Sequence, residues 1–163
     1  MLKHTLALIA LTLTLTAPSL AQNADHIAKA KKGQSCQGCN LFQANLAYKD
    51  IAGANLSQSR LRQSNLALAT FHEVNLSGAD LSVANLFGAR FNRSNLKNAD
   101  LRQASGVGTY FGATDLSGAK LDHTNLSGAD LSLATGLTQA QLNEACGDAT
   151  TRLPKGLRIS RCH

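Results

Sequence analysis

The chain has 163 residues, 44% of them hydrophobic and only 4% aromatic, with 16 Lys and Arg against 10 Asp and Glu for a formal net charge of +6. The excess lies at the flanks, because from Cys39 to Thr135 eight basic residues face seven acidic ones. A near-neutral body excludes a surface built to bind nucleic acid or to imitate it, and the short clusters Lys29, Lys31, Lys32 and Arg152, Lys155, Arg158, Arg161 read as solvated ends.

The first predicted element is residues 1–21. Lys3 and His4 precede an apolar run from Leu6 to Ala17, then Pro18 and Ser19-Leu20-Ala21, with small residues at both positions that a signal peptidase inspects. A membrane-spanning helix needs roughly 18 to 20 apolar residues, and this run is shorter. The pattern predicts a signal peptide cut after Ala21 and a periplasmic or secreted mature chain that keeps a net charge of +5. No cysteine follows the cut, which argues against a lipid anchor. Residues 22–38 form an N-terminal segment, with a helical turn or two expected over Asp25 to Lys32 before Gly33.

From Leu41 to Leu131 a large apolar residue returns every five positions, as in Leu76, Leu81, Leu86 and Phe91. A helix of 3.6 residues per turn would smear this spacing around its surface, and a strand of period two would flip each successive Leu to the opposite face. A chain that turns a corner after every five residues can bury it. Two positions before each apolar residue stands a small one, such as Ala79, Ala84 and Ala89, where backbones crowd toward an axis. Phe71, Phe91 and Phe111 recur every twenty residues, so four sides close one coil, and about five coils make a rod roughly 20 to 24 Å long at the strand spacing of about 4.8 Å. Asn45, Asn65, Asn85 and Asn125 then share a second wall, and Asn55, Asn75 and Asn95 a fourth, where stacked amides can bond between coils.

The runs A-N-L-S-Q, A-D-L-S-V, A-N-L-F-G and A-D-L-R-Q resemble the pentapeptide-repeat family, whose motif is A-(D/N)-L-x-x. The resemblance covers residues 39–135. It implies an all-β solenoid, a right-handed quadrilateral β-helix, and the handedness comes from the resemblance alone. Two departures stand out: Lys49 where a small inward residue belongs, and Gly106 in a slot meant for a large one. Gly106 offers room for Phe111, although Phe71 and Phe91 need no such gap.

An open solenoid needs capped ends. In residues 136–163, Thr138-Gln139-Ala140-Gln141 reads as a capping box that opens a short helix over the last coil, with Leu142 and Ala145 on one face and Gly147 as its stop. Four cysteines in an exported chain point to disulfides. Cys36 and Cys39 lie at one end of the expected rod and Cys146 and Cys162 at the other, too far apart for a bond that needs Cα atoms within about 7 Å. Pairing is therefore expected within each end, and a Cys146–Cys162 bridge would pin the basic tail to the capping helix. That tail also resembles the tails of other exported pentapeptide-repeat proteins. Cys36-Gln37-Gly38-Cys39 admits a second reading, a thiol-active pair that exchanges with partner disulfides, but Cys39 sits at an inward repeat position rather than at a helix start. Asn40 stands where a c-type haem motif needs His, and Cys146, Cys162 and His163 lack a fourth ligand for zinc.

No catalytic group emerges. His26, His72, His123 and His163 fall on different walls or ends, and the glycines at Gly78, Gly88, Gly118 and Gly128 are corners of the repeat rather than a phosphate loop. Surface ion pairs are expected between coils, Arg60 with Asp80 and Asp100 with Lys120. The second wall places Tyr48, Leu68, Phe87 and Val107 outward in one apolar strip, which marks a candidate binding surface for a protein partner or a second copy of the chain. The expected function is a non-enzymatic, cofactor-free scaffold or binding module of the bacterial cell envelope, with the thiol-active protein as the alternative. Some cytoplasmic members of the resembled family imitate DNA and bind topoisomerase; a signal peptide and a near-neutral body argue against that role here.

Overall fold

A computed structural model describes residues 22–163, so the expected signal peptide lies outside the described residues. The described chain opens with helix α1 (Ala24–Lys31). The Asn23 side chain caps it by accepting from the His26 backbone N–H, and Asp25 in the first turn and Lys29 and Lys31 in the last complement the helix dipole. The helix buries Ala30 completely and lays Ile27 against the core, so it covers the first end of the solenoid.

Below it the backbone stacks in parallel at a constant offset of twenty residues. Strands β1 (Asp50–Ala52), β2 (Thr70–His72) and β3 (Arg90–Asn92) pair with Ile51, Phe71 and Phe91 in register. Three further columns of single bridges run Asn40, Arg60, Asp80, Asp100, Lys120; then Asn45, Asn65, Asn85, Ser105, Asn125; then Asn55, Asn75, Asn95, Asp115, Thr135. Four columns at a twenty-residue offset require a chain with four five-residue sides per turn.

The sequence builds each side in the same way. The central residue of a side points inward and is buried, as Leu76, Leu81, Leu86 and Phe91 are. The second residue after it takes a left-handed backbone, for example Gly78 at φ 64° and Gly88 at φ 62°, and turns the corner. Phe71 and Phe91 stack with ring centroids 4.9 Å apart, and Phe91 and Phe111 at 5.5 Å, which lines one inner wall with aromatic surface. Inward hydroxyls close the remaining backbone gaps between coils: Ser59 donates to the Cys36 carbonyl at 3.0 Å, Ser94 to Phe71 at 3.0 Å, Thr109 to Leu86 at 2.8 Å and Thr124 to Leu101 at 2.7 Å.

Several expectations need correction. The Asn and Asp residues before each centre serve mainly as local turn makers, since their Oδ1 accepts the backbone N–H two residues on, as in Asn75 with Ser77 (3.1 Å) and Asp130 with Ser132 (3.0 Å). An Asn amide bond between coils does run from Asn85 to Asn65 at 3.3 Å. Asp100 pairs with Arg102 two residues away at 2.5 Å instead of Lys120, and Asp80 bonds Ser82 instead of Arg60, because a carboxylate held in its own turn faces its own strand. The space at Gly106 belongs to Leu126 of the next coil rather than to Phe111: a Cβ there would stand 3.0 Å from Leu126 Cδ2. Lys49 escapes the interior and lies exposed at the open upper corner of the second wall.

At the lower end, helix α2 (Gln139–Asn143) starts in the expected capping box of Thr138 and Gln141, and Leu142 is buried. The Gln141 side chain donates to the carbonyls of Leu116 and Ala119, at 2.9 and 2.8 Å, so the cap closes orphan acceptors of the last turn. Gly147 does not stop the helix, which ends at Asn143; it occupies an inward slot of a further rung, strand β4 (Cys146–Gly147), where Thr151 and Ile159 leave no room for a Cβ. Cys146 pairs with Asn125, and strand β5 (Ser160–Arg161) pairs with β4, so the second wall continues through Asn125, Cys146 and Ser160.

Candidate functional site

The second wall is flat because its corners alternate with three extended residues that hydrogen-bond to the coil below. The Tyr48 N–H donates to the Ala67 carbonyl at 3.0 Å, Leu68 to Phe87 at 2.8 Å and Gly88 to Val107 at 2.9 Å. Rigid rungs therefore carry the strip. Tyr48 is 77% exposed, Phe87 51% and Leu68 46%, while Val107 is half-buried. Leu68 lies down along the wall over Gly88, where a Cβ would meet its Cδ2 at 2.7 Å. The structure thus brings all four residues together on one wall. Between Lys49 and Asp148 that wall presents no charged side chain.

Its relief is uneven. The left-handed corner column reads Tyr48, Leu68, Gly88, Gly108, Gly128 from one end to the other. The upper half is a ridge of side chains and the lower half a bare track of backbone. Two exposed apolar residues escaped the sequence reading: Val83, 40% exposed on the first wall, and Leu133, 61% exposed on the third. Each stands singly in an outward corner position, which the period of five marks as outward without ranking its exposure. Leu133 borders a shallow depression with Tyr110 and Arg93, and the Arg90 guanidinium lies 5.6 Å from the Tyr110 ring centroid.

The cysteines are bonded in two pairs, Cys36–Cys39 with Cα atoms 5.5 Å apart and Cys146–Cys162 at 4.8 Å. Cys36 and Cys39 are 7% and 4% exposed, and the Cys36 N–H donates to the Asn55 carbonyl at 2.7 Å, so this motif is the first inward rung of the solenoid rather than the opening of a helix. His26 lies beside them, with ligand-type atoms of the three residues within 4.8 Å of one another. The donor set does not suit a metal: both sulfurs are used in their bond, and His26 Nδ1 accepts the Asn40 N–H at 3.1 Å. His26 is an edge cap, satisfying the top rung of the first wall. At the other end the tail folds back on α2, where Arg158 and Gln139 exchange bonds of 2.9 and 3.0 Å.

The acidic groups are tuned for structure. The Thr150 hydroxyl and backbone hold Asp148 at about 2, with Gly128 and Thr151 adding donors. Hydrogen bonds from Arg102 lower the Asp100 carboxyl, from Ser117 the Asp115 carboxyl and from Ser132 the Asp130 carboxyl, all in their own turns. Among the described residues, the partners of these carboxyls are hydroxyls, backbone N–H groups and the guanidiniums of Arg102 and Arg152.

Sequence comparison decides the family. Residues 35–66, 50–86, 84–121 and 109–146 match the Pentapeptide repeats family in eight copies, more than half of the chain. The chain belongs to the pentapeptide repeat family. Among solved structures, this pentapeptide repeat protein is similar to a trypsin-treated form of QnrB1, a plasmid-mediated fluoroquinolone resistance protein, at 16% identity and a TM-score of 0.56 over 74% of each chain. It is also similar to the pentapeptide repeat protein alr5209 from Nostoc PCC 7120, at 20% identity and a TM-score of 0.52 over 83% of this chain and 98% of that one. These likenesses establish the fold, a right-handed quadrilateral β-helix. A pentapeptide repeat protein from the cyanobacterium Cyanothece 51142 shares 29% identity over 68% of this chain with a TM-score of 0.49, and the present chain spans 64% of its length. No curated protein matches by sequence. Pentapeptide repeat proteins are generally structural or binding proteins. Among the described residues, no helix is long and apolar enough to cross a membrane.

Proposed function

We propose that this pentapeptide repeat protein is an exported, non-enzymatic binding module of the bacterial cell envelope, a capped rod of about five coils whose second wall engages a protein partner. The observation that carries the reading is the uncharged strip of Tyr48, Leu68, Phe87 and Val107 on rigid, hydrogen-bonded rungs. A rigid apolar wall binds with little backbone ordering cost, and a contiguous exposed apolar patch commonly marks an interaction site. Export is supported by the apolar leader and by two disulfides, bonds that persist in oxidising compartments. The thiol-active alternative is disfavoured by burial, since an exchanging partner must reach a sulfur and both Cys36 and Cys39 are covered.

The test is crosslinking of the mature protein in envelope fractions, comparing wild type with the double substitution Leu68→Ser and Phe87→Ser. Loss of crosslinked species with an unchanged melting temperature supports the wall as the binding surface. An unchanged crosslinking pattern overturns it.

A further inference from the structure

We infer that the second wall is self-complementary and that its partner is a second copy of this chain, packed wall to wall with the rods antiparallel. This rests on the reading of that wall as a binding surface and names its occupant. The relief of the corner column supplies the geometry. Tyr48 and Leu68 form a ridge in the upper half, and Gly108 and Gly128 leave a track in the lower half. A Cβ at Gly108 would meet nothing within 4 Å, and at Gly128 the near atoms are Thr150 Oγ1 at 3.5 Å and the Gly108 backbone at 3.9 Å, so the track is open to the outside.

A two-fold axis lying in the wall plane, across the rod at the middle rung, turns the ridge of one copy onto the track of the other. It places Leu68 over the partner copy's glycine at position 108 and Tyr48 over that at position 128. Phe87, on the middle rung, then meets its own counterpart, with Leu68 of each copy lying over Gly88 beside it. Such an interface is isologous, each patch meeting itself. Charge tolerates this orientation and opposes the parallel one. Lys49 stands at the upper end of the wall, and Asp148 and Arg161 lie together at the lower end, so antiparallel packing sets each Lys49 near a carboxylate in an end of balanced charge. Parallel packing would set Lys49 against Lys49.

A single wall is narrow, at the low end of interface sizes below about 1,200 Å² in total, so the dimer is weak and is read at about 500 µM by sedimentation velocity. The sharp test uses residue 87, which is exposed and outward, so that a polar substitution there leaves the inward column untouched. Because the axis sets this residue against itself, Phe87→Lys and Phe87→Glu each repel their own copy and weaken dimerisation by about tenfold or more. An equimolar mixture of the two pairs Lys with Glu and restores the dimer. Thermal melts of both variants confirm that they are folded.

Concentration-dependent wild-type dimerisation, loss in each variant and recovery in the mixture support the inference. A wild-type monomer at that concentration, or a mixture that stays monomeric, overturns it. If the wild type is monomeric while Leu68→Ser with Phe87→Ser still abolishes envelope crosslinks, only the second-copy assignment fails; if those crosslinks also persist, the binding wall itself falls.

Discussion

Twelve non-glycine residues, all placed at multiples of five from one another, hold the left-handed backbone that turns a corner of the solenoid. For an ordinary side chain that conformation costs roughly 1 to 2 kcal/mol. It persists because most of these corner N–H groups are locked into the next coil, as Val83 is to the Arg102 carbonyl at 2.9 Å. Val83, at φ 59°, is the β-branched member of the set, the side-chain type least suited to that region. Its side chain is 40% exposed, so little packing is lost on replacement. Asn adopts the left-handed region readily, as Asn98 does here at φ 57°. Val83→Asn is expected to raise stability by about 1 kcal/mol, read as a higher denaturant midpoint at constant m-value. An unchanged or lower midpoint would mean that Val83 contributes more through its apolar contacts than it costs in backbone strain.

Among the elements, the two ends differ from the body in how far they could be read in advance. The period of five exposed the inward column, the coil length and the outward wall, because each depends on one repeated geometric constraint. It did not expose β4 or β5, since neither segment carries the repeat: Gly147 replaces a Leu, and Ser160–Arg161 has no inward apolar residue. Their pairing comes from tertiary contacts, the Cys162 N–H donating to the Gly147 carbonyl at 2.9 Å and the 146–162 disulfide beside it. The ion pairs were misread for a related reason, in that stacking predicts which residues are neighbours but not that each Asp is already held by its own turn. Of the candidate site, the wall and its four residues were legible; the corner glycines that shape it were read only as turns. Because the disulfide closes a loop of sixteen residues in sequence separation, converting both Cys146 and Cys162 to Ala is expected to cost about 3 kcal/mol and to leave β5 and the basic tail open to protease before the body unfolds. Proteolysis of the tail at the same rate as in the wild type would show that the bonds between Arg158 and Gln139 suffice.

For the whole molecule, stability in a solenoid is a chain of nearest-neighbour terms, so groups that act alike in every coil add along the rod. The turn carboxylates are such groups. Asp100, Asp115, Asp130 and Asp148 lie on successive parts of the lower half, and each is held below its ordinary value by donors from its own turn: the Arg102 side chain, the hydroxyls of Ser117 and Ser132, and for Asp148, at about 2, the hydroxyl of Thr150 first. In the unfolded chain these carboxyls protonate near pH 3.9, their unperturbed value. Over the interval from about pH 4 down to about pH 2 the unfolded chain therefore binds more protons than the folded one, and lowering the pH favours unfolding. The stabilisation is fully present above pH 4 and is lost as the pH falls through the folded values. The melting temperature is expected to stay level from neutrality to about pH 5 and to fall steeply below pH 4. The lower half should open first, because the lowered carboxyls are concentrated there, while the upper coils hold the amides of Asn45, Asn55, Asn65 and Asn75 in the same turn position. Hydrogen exchange at pH 3 reads this directly: amides around Ser117, Ser132 and Thr150 should lose protection before those around Ala47, Ser57 and Ala67. Simultaneous loss in both halves would mean that the coils unfold as one unit rather than from the acidic end.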